Sequence, residues 1–471
     1  MLDITLIREK PDWVKEQLRK LNDTAAIERV DQILQLDQKR RELLQEVEVL
    51  RNYRNRLSKA TGQLRGNKKL DLGIRFAQAK AVLSALKTED YATAIEVLEQ
   101  HPEPDPSATL EHFEAIMQDI FEAMKILGNR IAEIDSTLET VEAERKNHLL
   151  WIPNLPHESV PVAASEEDNI PHPVQGTIPT FDFTPQAHWD LGPALGIIDF
   201  ERGVKLGGTR FYILAGMGAQ LQRALINFLL DQLVHEHGFQ EMYVPLMVKE
   251  EAMFGSGQFP KFMDTSYRVE EVGTYLLPTA EVALANMFAD EVIPAENLPL
   301  KFVAHTPCFR KEKMSAGRDV RGIKRLHQFE KVEMFVITRP EDSYVMLEEM
   351  TNIAASLCAK LGIPHRRLEI VTGDLGFTAS KKYDIEMWAA GAQEWLEVSS
   401  CSNTEAFQAR RANIKFRNED RNEFVHMLNG SALGIPRTLI AIMEHYQNAD
   451  GTITVPDVLR PYLNGKTIIE P

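Results

Sequence analysis

Leucines recur at a seven-residue spacing along the first part of the chain, at positions 36, 43, 50, 57 and 64. This spacing is typical of one seam position of a coiled coil. The residues at the companion seam position are more polar: Arg40, Val47, Arg54 and Thr61. Such a helix needs an apolar partner, and residues 113–141 supply one, with apolar positions three and four apart. The pattern predicts an antiparallel helical hairpin.

An insert and a proline-rich linker interrupt this pattern. Residues 71–108 lie between the two arms, where apolar positions indicate one or two extra helices and residues 101–106 indicate a break. Pro153, Pro156 and Pro161 end the second arm, because proline cannot continue the helical hydrogen-bond ladder. We therefore predict a helical arm over residues 1–150, with the insert at its tip, and a second domain over residues 151–471.

After the linker the pattern changes to short apolar runs separated by amphipathic segments. The candidate strands are residues 211–214, 242–246, 275–278, 302–303 and 334–337, and the main candidate helices are residues 219–237 and 341–361. The hairpin-like spacing of the strands indicates an antiparallel sheet flanked by helices. This is the α+β class.

Composition narrows the class of protein further. The chain has 471 residues, of which 44% are hydrophobic and 26% are charged, as in an ordinary globular protein. It contains neither an apolar run long enough to span a membrane nor a secretory leader pattern, so we expect a cytoplasmic protein. Cys308, Cys358 and Cys401 are too few and too scattered for a disulfide framework or a zinc cluster, and we expect them to be buried.

Charge is distributed unevenly along the chain. The net charge is −16, yet residues 49–69 contain basic residues and no acidic one. The basic residues are Arg51, Arg54, Arg56, Lys59, Arg65, Lys68 and Lys69. A stripe of this kind suits a local contact with a phosphate backbone, whereas the whole acidic surface does not. The alternative is a solvent-exposed helix face on which several basic residues follow one another by chance.

The densest charged segment lies between Phe309 and Glu333, next to two strand-like runs. Arg310 and Glu312 share one face of the extended chain, and Glu333 shares a face with Phe329. Guanidinium groups suit phosphates, carboxylates suit an amine, and an aromatic ring suits stacking on a base. The segment predicts a site for a nucleotide and a small amino-bearing molecule. The alternative is a surface hairpin with paired charges.

The order of these residues resembles motif 2 of class II aminoacyl-tRNA synthetases and is similar to that of the seryl-tRNA synthetase family. The resemblance consists of Phe-Arg-x-Glu at 309–312, Ser-Ala-Gly-Arg-Asp-Val-Arg-Gly at 315–322 and His-Gln-Phe-Glu-Lys-Val-Glu at 327–333. Further matches follow the family order at residues 279–281, 397–403, 428–433 and 437–438. Residues 219–245 resemble motif 1, which builds the dimer interface in this family.

The resemblance implies an ATP site. It assigns Arg310 to the α-phosphate and the amino-acid carboxylate, and Glu312 to the adenine amino group. Phe329 is implied to stack on the base, while Arg437 covers its other face and reaches the γ-phosphate. Arg310 and Arg437 are thus the implied catalytic residues. The returning strand is implied to line the nucleotide with Leu326, His327, Gln328 and Phe329.

The resemblance also implies Mg²⁺ and L-serine. Glu397 and Ser400 offer the hard oxygen donors that magnesium prefers, and both are implied to contact ATP. The implied serine-binding residues are Thr279, Glu281, Arg310, Glu333, Asn429 and Ser431. Carboxylates can pair with the ammonium group of serine, and polar side chains can hydrogen-bond to its hydroxyl group. The same set of residues does not exclude threonine or a serine analogue as the substrate. Taken alone, Thr279 and Ser431 could instead cap turns.

The implied function is formation of seryl-adenylate from serine and ATP, followed by transfer to the 3′ end of tRNA(Ser) by a homodimer. Whether tRNA(Sec) is a second acceptor stays open. The implied tRNA-binding residues of the arm are Arg51, Arg54, Arg56, Lys59 and Arg65. Two alternatives remain: a paralogue that activates serine or an analogue for a different acceptor, and a non-catalytic RNA-binding protein.

Two positions depart from the family pattern. Lys313 and Met314 replace the small Ala-Gly pair that is common after Glu312, in a loop implied to lie near the tRNA acceptor end. Met427 stands where many bacterial members have threonine. We expect the first departure to affect acceptor-end fit more than amino-acid activation.

Overall fold

A computed structural model describes residues 1–312 and 321–471. Lys313, Met314 and the motif 2 residues up to Val320 lie outside the described residues. The described chain contains the helices α1 Ile4–Glu9, α2 Pro11–Lys20, α3 Thr24–Gly66, α4 Leu72–Lys87, α5 Tyr91–Glu99, α6 Leu110–Leu150, α7 His188–Ala194, α8 Phe200–Gly207, α9 Met217–Asp231, α10 Glu250–Gly255, α11 Glu281–Leu284, α12 Ser343–Lys360, α13 Phe407–Ala412 and α14 Ile435–His445.

Its strands are short except at the centre of the main sheet. They are β1 Ile170–Pro171, β2 Ile198–Asp199, β3 Ile213–Leu214, β4 Gln240–Glu241, β5 Met247–Val248, β6 Tyr267–Val269, β7 Thr274–Leu276, β8 Val292–Pro294, β9 Leu300–Phe309, β10 Gln328–Thr338, β11 His365–Glu369, β12 Lys381–Ala389, β13 Glu394–Glu405, β14 Lys415–Asn418, β15 Arg421–Phe424, β16 His426–Gly434, β17 Ile453–Thr454 and β18 Ile468–Ile469. The predicted strand at residues 242–246 is wrong, since the strands are β4 and β5 on either side and this segment makes backbone hydrogen bonds to neighbouring strands only at its ends, at Met242 and Leu246.

The chain divides into two compact units, residues 29–149 and residues 1–28 with 150–471. We call the first unit the arm and the second the body. This division differs from the predicted boundary at residue 150, because the first 28 residues belong to the body. Ile7, Val14 and Leu18 of this segment are fully buried, so its short helices contribute apolar packing rather than extending the hairpin.

The arm contains the predicted antiparallel hairpin, formed by α3 and α6. Ion pairs join the facing helices from one end to the other: Arg40 with Glu142, Arg51 with Asp135, and Arg65 with Glu114. The partner helix is buried as its pattern predicts, from Phe113 to Val141. In α3 the heptad position that is buried changes along the helix. Leu57 and Leu64 are buried, but near Leu36 the buried residue is Asp37.

The insert forms two helices, α4 and α5, that pack on the arm. Phe76, Val82, Leu86 and Ile95 are buried in the same apolar cluster as the hairpin residues. Asp71 begins α4 by accepting hydrogen bonds from the backbone N–H groups of the first turn, an ordinary N-cap. The prediction of one or two extra helices is therefore confirmed, and the insert is part of the arm's core.

The body is built on an eight-stranded sheet in the order β1-β11-β12-β13-β16-β10-β9-β4. All neighbouring strands pair antiparallel except β4 and β9, which pair parallel. Helices α9, α12 and α14 bury their apolar sides with the sheet in one large core. This arrangement confirms the predicted α+β class.

Strand alternation gives the central strands two different faces. Cys401, Val332 and Met334 are fully buried in the core that includes α12 and α14. The intervening residues are polar and line a cavity, as Ser400 and Ser402 do on β13. The three cysteines are free and buried, as predicted. Within the described residues, no helix combines the length and the apolarity that a membrane crossing requires.

Candidate active site

A cavity of about 390 Å³ opens over the central strands of the body. Strands β10, β13 and β16 supply part of its lining. The rest comes from the loop after α10, the start of α11, the segment between β9 and β10, and the start of α14. The predicted site residues that line it are Thr279, Glu281, Arg310, Glu312, Leu326, Phe329, Glu333, Glu397, Ser400, Asn429, Ser431 and Arg437. Residues that are far apart in sequence thus meet in one space.

His327 and Gln328, which the resemblance assigns to the nucleotide, do not line this cavity. Phe329, Lys331 and Glu333 alternate along β10 and face the cavity, so Gln328 projects from the opposite face into a separate hollow. His327 precedes the strand and its ring Nδ1 lies 3.0 Å from the carbonyl oxygen of Arg310. Their contact with ATP stays a prediction, and within the described residues neither side chain lines the cavity that holds the other predicted site residues.

One end of the cavity is acidic and buried. Glu333 is 1% exposed and its carboxylate lies 2.5 Å from the Lys331 ammonium group. Lys331 also donates a hydrogen bond of 2.8 Å to the Thr279 hydroxyl. Glu281 is also buried, and its Oε1 accepts a hydrogen bond of 2.6 Å from the Gln408 amide.

The two carboxylates influence each other. Burial and, second, the negative charge of Glu333 together raise the pKa of Glu281 to about 7, while Lys331 opposes the shift. Two acids and one lysine therefore leave this end of the cavity short of positive charge. An ammonium group of a ligand would restore the balance.

The other end of the cavity is basic. The Nε of Arg310 donates to the carbonyl oxygen of Pro278 at 3.3 Å, and its guanidinium carbon lies 5.1 Å from the ring centroid of Phe329. The Arg325 guanidinium lies 3.7 Å from the carboxylate of Glu312. Lys324 lies in the same lining, but its ammonium group pairs with the carboxylate of Glu394. Several cations converge on one space, which suits a polyanion such as a nucleoside triphosphate.

Arg437 is held by two backbone carbonyls. Its terminal nitrogen donates to the carbonyl oxygen of Glu397 at 2.8 Å, and its Nε donates to that of Lys324 at 3.4 Å. Because both acceptors are main-chain groups, the guanidinium has a fixed direction without losing its charge. Its contact with the Glu397 carboxylate is longer, at 3.7 Å.

Glu397 and Ser400 both face the cavity from β13. The Glu397 side chain is 50% exposed. Behind them lies Asp384, which pairs with Ser400 across β12 and β13. Burial raises the pKa of Asp384 to about 7, and the Lys382 ammonium group opposes this shift. A carboxylate and a hydroxyl facing open space are hard oxygen donors that suit a divalent cation completed by phosphate oxygens and water.

Within the described part of the chain, the cavity lining contains eight further residues that were not predicted as site residues: Gln258, Lys324, Arg325, Lys331, Val398, Ser402, Gly434 and Pro436. Because side chains alternate between the two faces of a strand, the sequence was sufficient to place Lys331 on the same face of β10 as Glu333, two residues away. Lys324 lies in the charged segment and could have been included for its charge alone. Gln258 gave no sequence signal, because it lies in a loop remote from the matching segments.

In the arm, three of the five predicted tRNA-binding residues have carboxylate partners. Arg51 lies 2.7 Å from Asp135, Arg65 lies 2.6 Å from Glu114, and Arg56 lies 3.5 Å from Glu99. About half of each of these arginine side chains is exposed. Lys59 is exposed on the same helix and Arg54 is half-buried. Their contact with RNA stays a prediction.

The fold and the cavity define the class: this is the core of a class II aminoacyl-tRNA synthetase. Residues 267–446 match the family profile described as the tRNA synthetase class II core domain (G, H, P, S and T). Residues 1–98 match the Seryl-tRNA synthetase N-terminal domain.

The chain is similar over its whole length to serine–tRNA ligases. It is 49% identical to that of Roseiflexus sp. strain RS-1, with 100% of this chain and 99% of the relative covered. It is 48% identical to that of Chloroflexus aurantiacus, with 100% of both covered. A solved seryl-tRNA synthetase from Pyrococcus horikoshii complexed with ATP is 36% identical, with a TM-score of 0.84 and 100% of both chains covered. The chain belongs to the seryl-tRNA synthetase family.

Proposed function

We infer that this chain is a serine–tRNA ligase, which activates L-serine with ATP and transfers the seryl group to the 3′ end of tRNA(Ser). Its identity to serine–tRNA ligases over the full length supports this activity. The observation that carries the proposal is a single cavity with two different ends, carboxylates at Glu281 and Glu333 and guanidinium groups at Arg310, Arg325 and Arg437. This is the charge pattern that an amino acid beside a nucleoside triphosphate requires.

The acidic end binds the ammonium group of serine. When both are ionised, Glu281 and Glu333 carry two negative charges and Lys331 balances one of them. The ammonium group of serine can balance the other. Thr279 and Ser431 offer hydroxyl groups for the serine side chain. A site built for hydrogen bonds to a hydroxyl can reject an analogue that lacks it by about 10⁴-fold, because buried polar groups would be left unpaired.

The basic end aligns the two reacting anions. A carboxylate oxygen of serine attacks the α-phosphorus, the bond from this phosphorus to the pyrophosphate oxygen breaks, and pyrophosphate leaves. Arg310 lies between the acidic end and Phe329, where its charge offsets the repulsion between the carboxylate and the phosphate. Positioning and charge neutralisation account for most of the rate in such reactions.

The second step needs a tRNA. The 3′-terminal ribose hydroxyl attacks the carbonyl carbon of seryl-adenylate, an ester bond forms, and AMP leaves with the electrons of the bond that breaks. The arm is the proposed binding element for tRNA(Ser), since its exposed basic residues include Lys59, Lys68 and Lys69. A cytoplasmic location is expected from a role in translation.

Glu397 and Ser400 are the proposed magnesium ligands. The half-exposed carboxylate of Glu397 and the hydroxyl of Ser400 face the same space as the basic residues, so phosphate oxygens could complete the coordination. When bound, the ion neutralises phosphate charge.

A homodimer is also proposed, on the basis of exposed apolar surface near the edge strand β4. Tyr243, in the motif 1 segment, is fully exposed, and Met247, just after that segment, is 54% exposed.

Serine-dependent exchange of pyrophosphate into ATP tests the activation step. We expect the wild-type chain to catalyse it and Arg310→Ala to lose at least about 100-fold, the scale seen when one preorganised donor is removed. The matched control is Arg202→Ala, an arginine whose side chain is 78% exposed, which should retain full activity. Equal activity of Arg310→Ala and wild type would contradict the role of Arg310.

Charging of total tRNA then separates the proposed function from the paralogue alternative. A serine–tRNA ligase attaches serine to tRNA, whereas a paralogue with another acceptor shows exchange without charging. Absence of exchange with serine in the wild-type chain would refute the serine–tRNA ligase and a serine-activating paralogue, and would leave only a paralogue specific for a serine analogue or a non-catalytic protein.

A further inference from the structure

A fully buried pair, His188 and Glu444, lies outside the cavity lining. The ring Nδ1 of His188 is 2.9 Å from Oε1 of Glu444, and both side chains are 0% exposed. The same Oε1 accepts the backbone N–H of His188 at 2.9 Å, and Oε2 accepts the backbone N–H groups of Gly391 and Ala392, each at 2.9 Å. Glu444 therefore acts only as an acceptor, and its carboxylate orients the imidazole.

The second ring nitrogen of His188 reaches the charged segment of motif 2. Its Nε2 lies 3.2 Å from the backbone nitrogen of Ile323. Because an amide N–H can only donate, Nε2 accepts, and His188 carries its proton on Nδ1 toward Glu444. Gly322 passes so close that a Cβ there would lie 2.0 Å from Nε2, and its φ of +77° also favours glycine.

The segment that His188 contacts leads directly into the cavity. We call residues 321–326 the return limb. Ile323 is fully buried, and Lys324, Arg325 and Leu326, which follow it, line the cavity. At its start, the guanidinium carbon of Arg321 lies 4.8 Å from the ring centroid of Trp189, next to His188 in α7.

Helix α14 holds the return limb at two peptide groups, the one between residues 322 and 323 and the one between residues 324 and 325. Arg437 donates to the carbonyl oxygen of Lys324, and Glu444 fixes the imidazole that accepts the N–H of Ile323. Arg437 and Glu444 are seven residues apart, which is two helical turns, so they project from the same side of α14. One contact is direct and the other passes through His188.

We propose that His188, oriented by Glu444, is a positioning residue for amino-acid activation, because it fixes the return limb and with it the directions of Lys324 and Arg325. This inference rests on the proposed function, in which Arg325 is one of the guanidinium groups at the basic end of the cavity. Misplacing a binding group by about 1 Å can cost on the order of 100-fold in rate. Loss of the Nε2 contact should therefore affect ATP use more than serine use.

Two substitutions at His188 separate its two hydrogen bonds. His188→Asn retains a donor near the Nδ1 position for Glu444 and removes the acceptor for Ile323. His188→Gln retains an acceptor near the Nε2 position and removes the donor to Glu444. We expect His188→Asn to raise KM for ATP about tenfold, with KM for serine within about threefold of wild type. His188→Gln should restore KM for ATP to within about threefold of wild type.

A second readout does not depend on activity. Hydrogen exchange of the peptide covering residues 321–326 should accelerate about tenfold in His188→Asn and stay near wild type in His188→Gln. The matched control is His365→Asn, since His365 is 2% exposed and its Nδ1 bonds the carbonyl of Ile363 in the body. That variant should lower the thermal midpoint while leaving KM for ATP and the exchange of residues 321–326 unchanged.

The outcomes are distinct. The positioning role is overturned if His188→Asn and His188→Gln change KM for ATP and hydrogen exchange to the same extent. It is also overturned if His188→Asn and His365→Asn have the same KM for ATP and the same hydrogen exchange in residues 321–326. A wild-type chain without serine-dependent exchange activity would refute the proposed function instead, and the hydrogen-exchange comparison would still decide whether His188 holds the return limb.

Discussion

Glu281 is a buried acid whose protonation changes near neutral pH. Its carboxyl group accepts one hydrogen bond from Gln408 and lies in the field of Glu333, and burial raises its pKa to about 7 from the usual 4.5. In the proposed function a serine ammonium group binds beside it. A cation stabilises the ionised form, so serine binding and loss of the Glu281 proton favour each other.

We therefore predict that KM for serine rises as the pH falls below about 7, approaching tenfold per pH unit, while KM for ATP changes much less. Steady-state pyrophosphate exchange between pH 6 and 8 measures both. Glu281→Gln should raise KM for serine at pH 8 and remove most of its pH dependence. A serine KM that is flat from pH 6 to 8 in the wild type would contradict this assignment.

The same variant has an opposite effect on stability. Because the folded-state pKa of Glu281 lies above its unfolded value, the folded state binds the proton more tightly, and stability decreases as the pH rises from about 4.5 through 7. Glu281→Gln stays neutral and keeps an oxygen for Gln408. As a second readout, its free energy of unfolding at pH 8 should exceed that of wild type by up to roughly 3 kcal/mol, and the two should converge at about pH 4, below the unfolded-state pKa.

Residue positions were predictable from the sequence where strand alternation or family order fixes them. Both carboxylates of the acidic end, and the two arginines that we propose as catalytic, were placed in the cavity lining in this way. His188 and Asp384 were not, because each gains its role from a contact across the fold: His188 with Ile323, and Asp384 with Ser400. A histidine in an apolar segment gives no local signal of such a contact.

At the scale of elements, the arm was predictable in outline but not in its detailed packing. The three-four spacing located α6 correctly, since Phe113 and Val141 are both buried. The leucine repeat was less accurate, because Asp37 is buried in place of Leu36 through its ion pair of 2.6 Å with Arg145. The insert's role was not predictable, because it depends on what α4 contacts.

Arg75 in α4 caps the end of α3. Its Nε donates to the carbonyl oxygen of Leu64 at 3.0 Å and a terminal nitrogen donates to that of Arg65 at 2.9 Å. Its guanidinium carbon lies 4.3 Å from the ring centroid of Phe113 in α6, and the residue is 7% exposed. These carbonyls belong to the last turn of α3, which has no further turn to bond them. The insert thus stabilises both helices of the hairpin.

We predict that Arg75→Met lowers the stability of the arm by about 1–3 kcal/mol, because methionine retains apolar packing but leaves two carbonyls without their donor. Hydrogen exchange in the last turns of α3 measures the loss. The matched control is Lys80→Met in the same helix. The ion pair of Lys80 with Asp105 involves a lysine side chain that is 54% exposed, so its loss should cost much less stability. Equal protection in both variants would rule out the cap.

At the scale of the whole molecule, recognition and chemistry are assigned to different units. The residues that line the cavity all belong to the body, and the basic stripe belongs to the arm. The chain as a whole carries a net charge of −16, so attraction of RNA depends on local basic surface. Arg51, Arg56 and Arg65 already contact carboxylates, so a phosphate would compete with an existing partner at each.

The division into units was only partly predictable. Family order located the catalytic segments in the C-terminal two-thirds of the chain. The first 28 residues carry no signal that assigns them to the body, because short amphipathic helices look alike wherever they pack.

Removing most of the arm tests whether its function is separate from the chemistry. Deleting residues 39–141 and joining the ends with a short flexible turn leaves the buried pair of Asp37 and Arg145 intact, so the remaining stub of the hairpin keeps its ion pair. We expect serine-dependent pyrophosphate exchange to stay within about threefold of wild type. Charging of tRNA should fall by at least about 100-fold, through weaker tRNA binding.

The intact chain and a charge variant supply the controls for this deletion. Binding of tRNA to the wild type should weaken with added salt, because phosphate contacts release counterions. Lys59→Glu reverses an exposed charge of the arm without shortening it, and should weaken tRNA binding while leaving pyrophosphate exchange unchanged. Undiminished charging by the deletion variant would mean that the body alone selects the tRNA. A parallel loss of exchange would mean instead that the arm is needed to form the site.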